Sequence, residues 1–270
     1  MFYLHVIILA VVQGLTEFLP VSSSGHLVIL HDILNFHLEQ SLAFDVALHL
    51  GTGVALVVYF WKDIKIYLRD FWRFCLGYTS VKKENLDIFF KIIVASIPAV
   101  IFGLLFEDLI ESYFRSPIFV IVSLILVGLI FFAIERIETN KELSKLTFPQ
   151  AIFIGIAQTL ALIPGVSRSG ITIIAGMTTK LKRAESAKFA FLMGIPIILG
   201  AGVYKFIKLD FITMQNNEII AFVLGFVISF LVGCLVIKFL MKFLVNHKLY
   251  IFGVYRILLA IVLIVIFYLV

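Results

Sequence analysis

Gln13-Gly-Leu-Thr-Glu-Phe-Leu-Pro-Val-Ser-Ser-Ser-Gly-His26 interrupts an apolar stretch that extends from residue 2 to residue 34. Proline, glycine and three consecutive serines disfavour the interior of a helix. A continuous helix of this length would measure about 50 Å, whereas the hydrocarbon core of a bilayer measures about 30 Å. We therefore expect the stretch to break at this motif, either as a re-entrant hairpin or as two half-helices.

A second apolar stretch, 149–180, is interrupted in a similar way by Pro164-Gly-Val-Ser-Arg-Ser-Gly-Ile-Thr172. At a constant offset of 145 residues, seven of 17 aligned positions are identical. The identical pairs are Gln13 and Gln158, Leu15 and Leu160, Val21 and Val166, Ser22 and Ser167, Ser24 and Ser169, Gly25 and Gly170, and Ile29 and Ile174. A glutamine, two serines and a glycine in register indicate an internal duplication.

The composition excludes a water-soluble globular protein. Of the 270 residues, 62% are hydrophobic and only 14% are charged, against roughly half and a quarter in soluble domains. Six further apolar runs are long enough to cross a bilayer as helices. They are 42–61, 90–106, 117–134, 188–207, 218–237 and 250–270. We predict an all-α, polytopic membrane protein with a single membrane domain.

The basic residues predict how the chain is oriented. The segments 62–91, 135–147, 179–188 and 238–248 hold 17 Lys and Arg residues, which places them on the cytoplasmic side. The connections 32–41, 107–116 and 205–217 hold only Arg115, Lys205 and Lys208, and should face outward. The net charge of +5 is explained by this orientation, and we expect no nucleic-acid partner.

This assignment gives the two halves of the chain opposite topology. We predict a first inverted repeat over 1–134, a cytoplasmic linker over 135–148 and a second inverted repeat over 149–270, each with a broken helix pair and three transmembrane helices. The two breaks then enter from opposite faces and can meet within the membrane.

Two basic residues lie in apolar surroundings. Arg256 is near the cytoplasmic start of its helix, where we expect its side chain to extend to the interface. Arg168 lies inside the second break and has no such exit, and an ionisable residue at this depth indicates a functional site. Its natural counter-charge is Glu17, with Gln13 one helical turn earlier on the same face.

The two breaks together predict a site for a phosphate-like anion. Two half-helix N-termini, a glycine-rich backbone, a guanidinium and several hydroxyls supply donors. The first break adds Ser23, His26 and Glu17, which can serve as a nucleophile and as proton-transfer groups. The combination favours phosphoryl transfer by hydrolysis.

The differences between the repeats favour an enzyme. Ser23 aligns with Arg168, and His26 aligns with Ile171, so one half carries the reactive groups and the other carries the anion clamp. The strongest alternative is a secondary transporter or flippase of a lipid phosphate, because inverted repeats with broken helices are common in transporters.

Both motifs resemble the signatures of bacterial undecaprenyl-diphosphatases of the bacitracin-resistance type. The resemblance covers essentially the whole chain and includes Phe44-Asp45-Val46 followed by Leu50-Gly51-Thr52. It implies hydrolysis of undecaprenyl diphosphate to undecaprenyl phosphate and phosphate, which recycles the lipid carrier of peptidoglycan synthesis. It also implies a divalent cation, Mg or Ca, and an outward-facing site in the bacterial inner membrane. A homodimer remains an open alternative.

We expect substrate phosphates to be bound by Arg168 and by backbone or hydroxyl groups of both breaks. These groups belong to Ser22, Ser24, Gly25, Gly165, Ser167, Ser169, Gly170 and Thr172. Ser23 would attack the terminal phosphorus with His26 as its base, and Glu17 would orient His26 or bind the metal. In a rival arrangement His26 is the nucleophile.

Three further residues are assigned smaller roles. The family motif begins with Glu or Gln, and Gln13 supplies only a neutral oxygen, so it would orient substrate or metal. Asp45 and His49 lie one turn apart on one helix, which fits a shared metal, a shared hydrogen bond or a structural pair. We expect them to lie behind the residues that touch substrate.

Overall fold

The structure is a computed structural model that describes residues 2–34, 41–114, 116–208 and 214–269. Arg115 and parts of the three predicted outward connections lie outside the described residues. Eleven α-helices occur in the described ranges, and no strand. They are α1 Phe2–Thr16, α2 Ser23–Leu34, α3 Ser41–Tyr59, α4 Trp61–Cys75, α5 Lys83–Phe114, α6 Pro117–Ile134, α7 Phe148–Thr159, α8 Arg168–Thr178, α9 Arg183–Ile207, α10 Asn216–Asn246 and α11 Tyr250–Ile264.

The prediction of an all-helical, multi-pass membrane protein is confirmed. Five described helices are long and apolar enough to cross a bilayer, namely α5, α6, α9, α10 and α11, the last extended by a π-helical turn. The bent pair α3 and α4 brings the number to six. These helices correspond to the six apolar runs of the sequence.

Both predicted helix breaks are present. The first separates α1 from α2, and the second separates α7, with a 3₁₀ turn at Leu160–Leu162, from α8. The four half-helices contain 11 to 15 residues and are about 16 to 22 Å long, which is too short for the hydrocarbon core. Each break therefore exposes backbone groups within the membrane.

The two breaks share one local geometry. Ser22 and Ser167 both have a φ of +76°, which is uncommon for a residue with a side chain. Each hydroxyl then accepts the backbone N–H three residues later, at 3.3 Å from Gly25 and 3.1 Å from Gly170. The two turns thus share one local geometry, as an internal duplication would predict, whereas the repeats and their inverted topology stay a prediction.

Helix α4 lies in a segment that we expected to be a cytoplasmic loop. It follows α3 after Phe60 and is bent from it by 73°. Tyr67 and Asp70 are buried against the rest of the protein. Its outer side carries both basic and large apolar residues.

Candidate active site

Glu17 is the point at which the two breaks are joined. It lies in the turn after α1, and its side chain is 6% exposed. Oε1 accepts a 2.9 Å hydrogen bond from Arg168 Nη2. Oε2 accepts one of 2.7 Å from the Ser23 hydroxyl and one of 3.1 Å from Gln13 Nε2. The structure therefore places Glu17 opposite the counter-charge predicted from the sequence.

Arg168 is the first residue of α8, and its guanidinium reaches across to Glu17 past Gly194 of α9. A Cβ on Gly194 would lie 2.1 Å from Arg168 Nη1, so only glycine leaves room for the guanidinium there. Nη1 is buried and has no hydrogen-bond partner among the residues that the structure describes. A buried donor without a partner costs free energy, and an anionic ligand that accepted a hydrogen bond from Nη1 would remove this cost.

His26 makes a different contact from the one we expected. Its Nδ1 lies 2.7 Å from the Ser22 carbonyl oxygen, which can only accept, so Nδ1 carries the hydrogen. Nε2 lies 2.8 Å from the Tyr255 hydroxyl, and the two rings are parallel. Ser23 is paired with Glu17 instead. The geometry therefore favours Glu17, not His26, as the group that accepts the Ser23 proton.

His49 is closer to the site than we expected. Its Nε2 lies 3.9 Å from Glu17 Oε2, and its Nδ1 donates to the backbone oxygen of Asp45 at 2.8 Å. The Asp45 carboxylate instead faces His31 Nε2 at 3.3 Å. Asp45 and His49 are thus connected through the backbone, and of the two only His49 faces the Glu17 carboxylate.

Arg256 does not extend to the interface, and that expectation is wrong. Its side chain is fully buried and donates to four backbone carbonyl oxygens. They belong to Pro20, Ser123, Leu124 and Gly165, at 2.6 to 3.4 Å. Two of these carbonyls, those of Pro20 and Gly165, lie in the helix breaks, and carbonyl groups freed by a broken helix need donors where there is no water.

Pro20 and Gly165 occupy equivalent positions in the two repeats, so Arg256 clamps both breaks at matching points. The breaks also touch directly, because a Cβ on Gly25 would lie 3.6 Å from the Cα of Gly165. Gly165 itself has a φ of +91°, and a Cβ there would lie 2.8 Å from Ser123. These contacts confirm the expectation that the two breaks lie against each other.

Most of the hydroxyl groups that we expected to bind substrate phosphates make hydrogen bonds within the breaks. Thr172 is fully buried, and its hydroxyl donates to the Arg168 carbonyl at 2.7 Å. Ser169 donates to the Leu19 carbonyl at 3.3 Å. The Ser22 and Ser167 hydroxyls accept backbone N–H groups and lie 3.3 and 3.1 Å from the hydroxyls of Ser24 and Ser169. These hydrogen bonds stabilise the turns and the start of α8, and contacts of these side chains with substrate stay a prediction.

The donor set fits the expected divalent cation only in part. Among the described residues, no group of three or more His, Cys, Asp and Glu side chains could hold a metal ion. However, Gln13 Oε1 is buried beside Glu17, and no described residue gives it a hydrogen bond. One carboxylate and one amide oxygen suit Mg²⁺ or Ca²⁺ when substrate phosphates supply further oxygen ligands.

Tyr255 and Gly194 were not predicted from the sequence, and the position of the Arg256 side chain was predicted wrongly. Tyr255 and Gly194 lie on transmembrane helices far from either motif, and nothing in their local sequence marks them. Arg256 did carry a signal, because it was one of two basic residues in apolar surroundings.

Known proteins resemble the chain over nearly its full length. A family model described as "Bacitracin resistance protein BacA" matches residues 6–262. The undecaprenyl-diphosphatase of Desulforudis audaxviator is 42% identical over 261 residues, which cover 96% of each protein. That of Moorella thermoacetica is 41% identical over 267 residues, or 98% of each. That of Caldicellulosiruptor bescii is 47% identical over 205 residues, 75% of this chain and 74% of the relative.

Proposed function

Because the chain belongs to the BacA family of bacitracin resistance proteins, it hydrolyses undecaprenyl diphosphate, and we propose that the reaction takes place where the two helix breaks meet. The products are undecaprenyl phosphate and inorganic phosphate. The reaction recycles the lipid carrier of cell-wall synthesis and accounts for resistance to bacitracin.

The position of Arg168 is the main support for the proposed site. One guanidinium nitrogen, Nη2, donates to Glu17, while Nη1 is buried and has no partner within the described part of the chain. Ser23 shares the same carboxylate. An anion that binds Nη1 is therefore brought close to a hydroxyl whose proton already points at a base. Phosphoryl transfer requires a hydrogen-bond donor to the phosphate, a nucleophile and a base at one site.

The charges at the site favour a diphosphate. Arg168 and Arg256 contribute two positive charges, and Glu17 contributes one negative charge. In the described ranges, the hydrogen bonds of Arg256 all go to backbone carbonyls, and no acid pairs with its charge there. The net positive charge lies in low-dielectric surroundings, where it attracts an anion more strongly than it would in water.

In the proposed reaction the Ser23 oxygen forms a bond to the terminal phosphorus. The bond from that phosphorus to the bridging oxygen breaks, and the electron pair leaves with undecaprenyl phosphate. The Ser23 proton moves to Glu17 Oε2, which lies 2.7 Å from the hydroxyl oxygen. Arg168 turns toward the substrate phosphates as they bind, and this movement frees Glu17 to accept the proton. Water then attacks the phosphorus of the phosphoserine, the bond from phosphorus to the Ser23 oxygen breaks, and that oxygen takes back the proton held by Glu17. One proton of the water stays on the inorganic phosphate that leaves, and the other is released.

His26 supports the site from the other side. With Nδ1–H donated to Ser22, its Nε2 lone pair faces Tyr255. We assign His26 to holding the first turn of α2, which carries Ser23, and to exchanging a proton through Tyr255 during the hydrolysis of the phosphoserine. The alternative with His26 as nucleophile requires Nε2 to leave Tyr255 first.

A divalent cation would be held by Glu17 and Gln13 Oε1, and it would neutralise part of the diphosphate charge. The protein's own contribution is to orient the substrate and to exclude water. We further propose that the site opens to the outer side of the bacterial inner membrane, as the basic loops predict.

Phosphate release from purified protein in detergent tests the proposal. Hydrolysis of undecaprenyl diphosphate needs no vesicle, whereas transport needs two compartments. We expect phosphate release that depends on Ser23, Glu17 and Arg168. A protein that released no phosphate in detergent and moved a lipid phosphate only across vesicles would support the flippase instead.

A further inference from the structure

Helix α4 does not need to cross the membrane. The preceding helix, α3, contains 19 residues and is about 28 Å long, close to the thickness of the hydrocarbon core. α4 is bent from it by 73° at Phe60. If α3 crosses near the membrane normal, α4 lies close to the plane of the bilayer at the end of α3.

The outer side of α4 has an aromatic strip. Trp61, Leu68 and Trp72 follow one another at spacings of seven and four residues, so they lie along one side of the helix. They are 54%, 41% and 61% exposed. Tyr67, on the side that faces the protein, is buried. Tryptophan is enriched at the boundary between lipid and water, where its ring is half in each.

Next to the aromatic strip is a basic strip. Lys62 and Lys65 are exposed, and within the described residues neither has an acidic partner. The acids of α4 are already paired, since Asp63 contacts Lys188 at 2.6 Å and Asp70 contacts Arg69 at 2.9 Å. The unpaired positive charges are therefore available to a partner outside the chain.

We infer that α4 is an interfacial helix that binds anionic lipid headgroups on the cytoplasmic surface. Trp61 and Trp72 would lie at the boundary with the acyl chains, and Lys62 and Lys65 would contact headgroup phosphates. A helix with an apolar side and a basic side is the usual form of such a surface. No residue of this surface belongs to the site described above, so the inference does not depend on the catalytic proposal.

The chain contains its own probe, because its two tryptophans are Trp61 and Trp72. The full-length protein is reconstituted in phosphatidylcholine liposomes with bromine at different depths along the acyl chain. Variants Trp61→Phe and Trp72→Phe leave one tryptophan each. We expect strongest quenching by the shallowest bromine, at the same depth for both positions. Different depths, or no quenching with full access to iodide from water, would overturn the inference. The latter result would indicate a protein partner.

A second measurement tests the lipid charge. Replacing part of the phosphatidylcholine with phosphatidylglycerol should shift tryptophan emission to shorter wavelength. The double variant Lys62→Gln/Lys65→Gln should lose this shift. Lys238→Gln/Lys242→Gln removes two exposed charges elsewhere on the predicted cytoplasmic side and should keep it. If both double variants keep the shift, or if no shift occurs with the natural chain, the proposed headgroup contact is wrong.

Discussion

Arg168 Nη2 donates a 2.9 Å hydrogen bond to Glu17 Oε1 across 151 residues of sequence. Each partner comes from a different helix break, and both are largely buried. Removing either partner would leave an unpaired charge within the membrane. The pair is therefore both a structural bond between the two halves of the chain and, in the proposed mechanism, the contact that the substrate replaces.

Arg168→Ala should lower kcat/KM by about 100- to 1000-fold, the usual effect of removing a donor to the transition state. Arg168→Lys should recover little, because a single ammonium lacks the planar pair of N–H donors that a guanidinium offers to two phosphate oxygens. Phosphate release in detergent measures both. Arg136→Ala, at an exposed position of the linker, is the matched control. Near-normal turnover of Arg168→Ala would rule out the anion clamp.

Gly194→Ala should reproduce much of the Arg168 defect without changing Arg168 itself. The added Cβ would lie 2.1 Å from Arg168 Nη1, so the guanidinium must move. Gly200→Ala is a control on the same helix, because a Cβ there has no neighbour within 4 Å. We expect a loss of kcat/KM for Gly194→Ala alone. Equal activity of the two variants would show that the position of Nη1 is not critical.

Part of this site could be predicted from the sequence because ionisable residues are easy to recognise in an otherwise apolar chain. Glu17 and Arg168 are ionisable residues in segments that otherwise lack them, and each requires a partner. Ser23 and His26 followed from the same motif. Which of them contacts Glu17 could not be read from spacing, because the turn after α1 decides the direction of each side chain.

The hydrogen-bond partners of Arg256 could not be predicted from the sequence. Its partners are backbone carbonyls of Pro20, Ser123, Leu124 and Gly165, and backbone groups leave no trace in residue identity. The amphipathic helix α4 was missed for another reason. Its charges satisfied the rule for cytoplasmic loops, which says nothing about whether such a loop is helical.

Arg256→Lys should destabilise the protein and lower its activity together. One ammonium cannot replace the guanidinium contacts to Pro20 and Gly165, and each carbonyl left without a donor costs about 1 to 3 kcal/mol. A fall in the midpoint of thermal unfolding in detergent, with a fall in kcat in the folded fraction, is the expected result. A Lys variant as stable and active as the natural chain would show that Arg256 does not hold the breaks.

Gln13→Glu should change the response to divalent cations. The substitution places a second carboxylate beside Glu17, where Gln13 now donates at 3.1 Å. A site with two carboxylates binds Mg²⁺ or Ca²⁺ more tightly. We expect half-maximal phosphate release at a lower cation concentration, and isosteric Glu17→Gln should abolish the response. An unchanged cation dependence in Gln13→Glu would exclude this position as a ligand.

In the proposed mechanism Ser23, with Glu17 as its base, forms the bond to phosphorus. Undecaprenyl diphosphate labelled in its terminal phosphate is mixed with the protein, quenched within milliseconds in acid or at neutral pH, and the labelled peptide is mapped. We expect an acid-stable label on Ser23 that disappears, together with turnover, in Ser23→Ala. A label on His26 that survives only the neutral quench, or full turnover by Ser23→Ala, would contradict it.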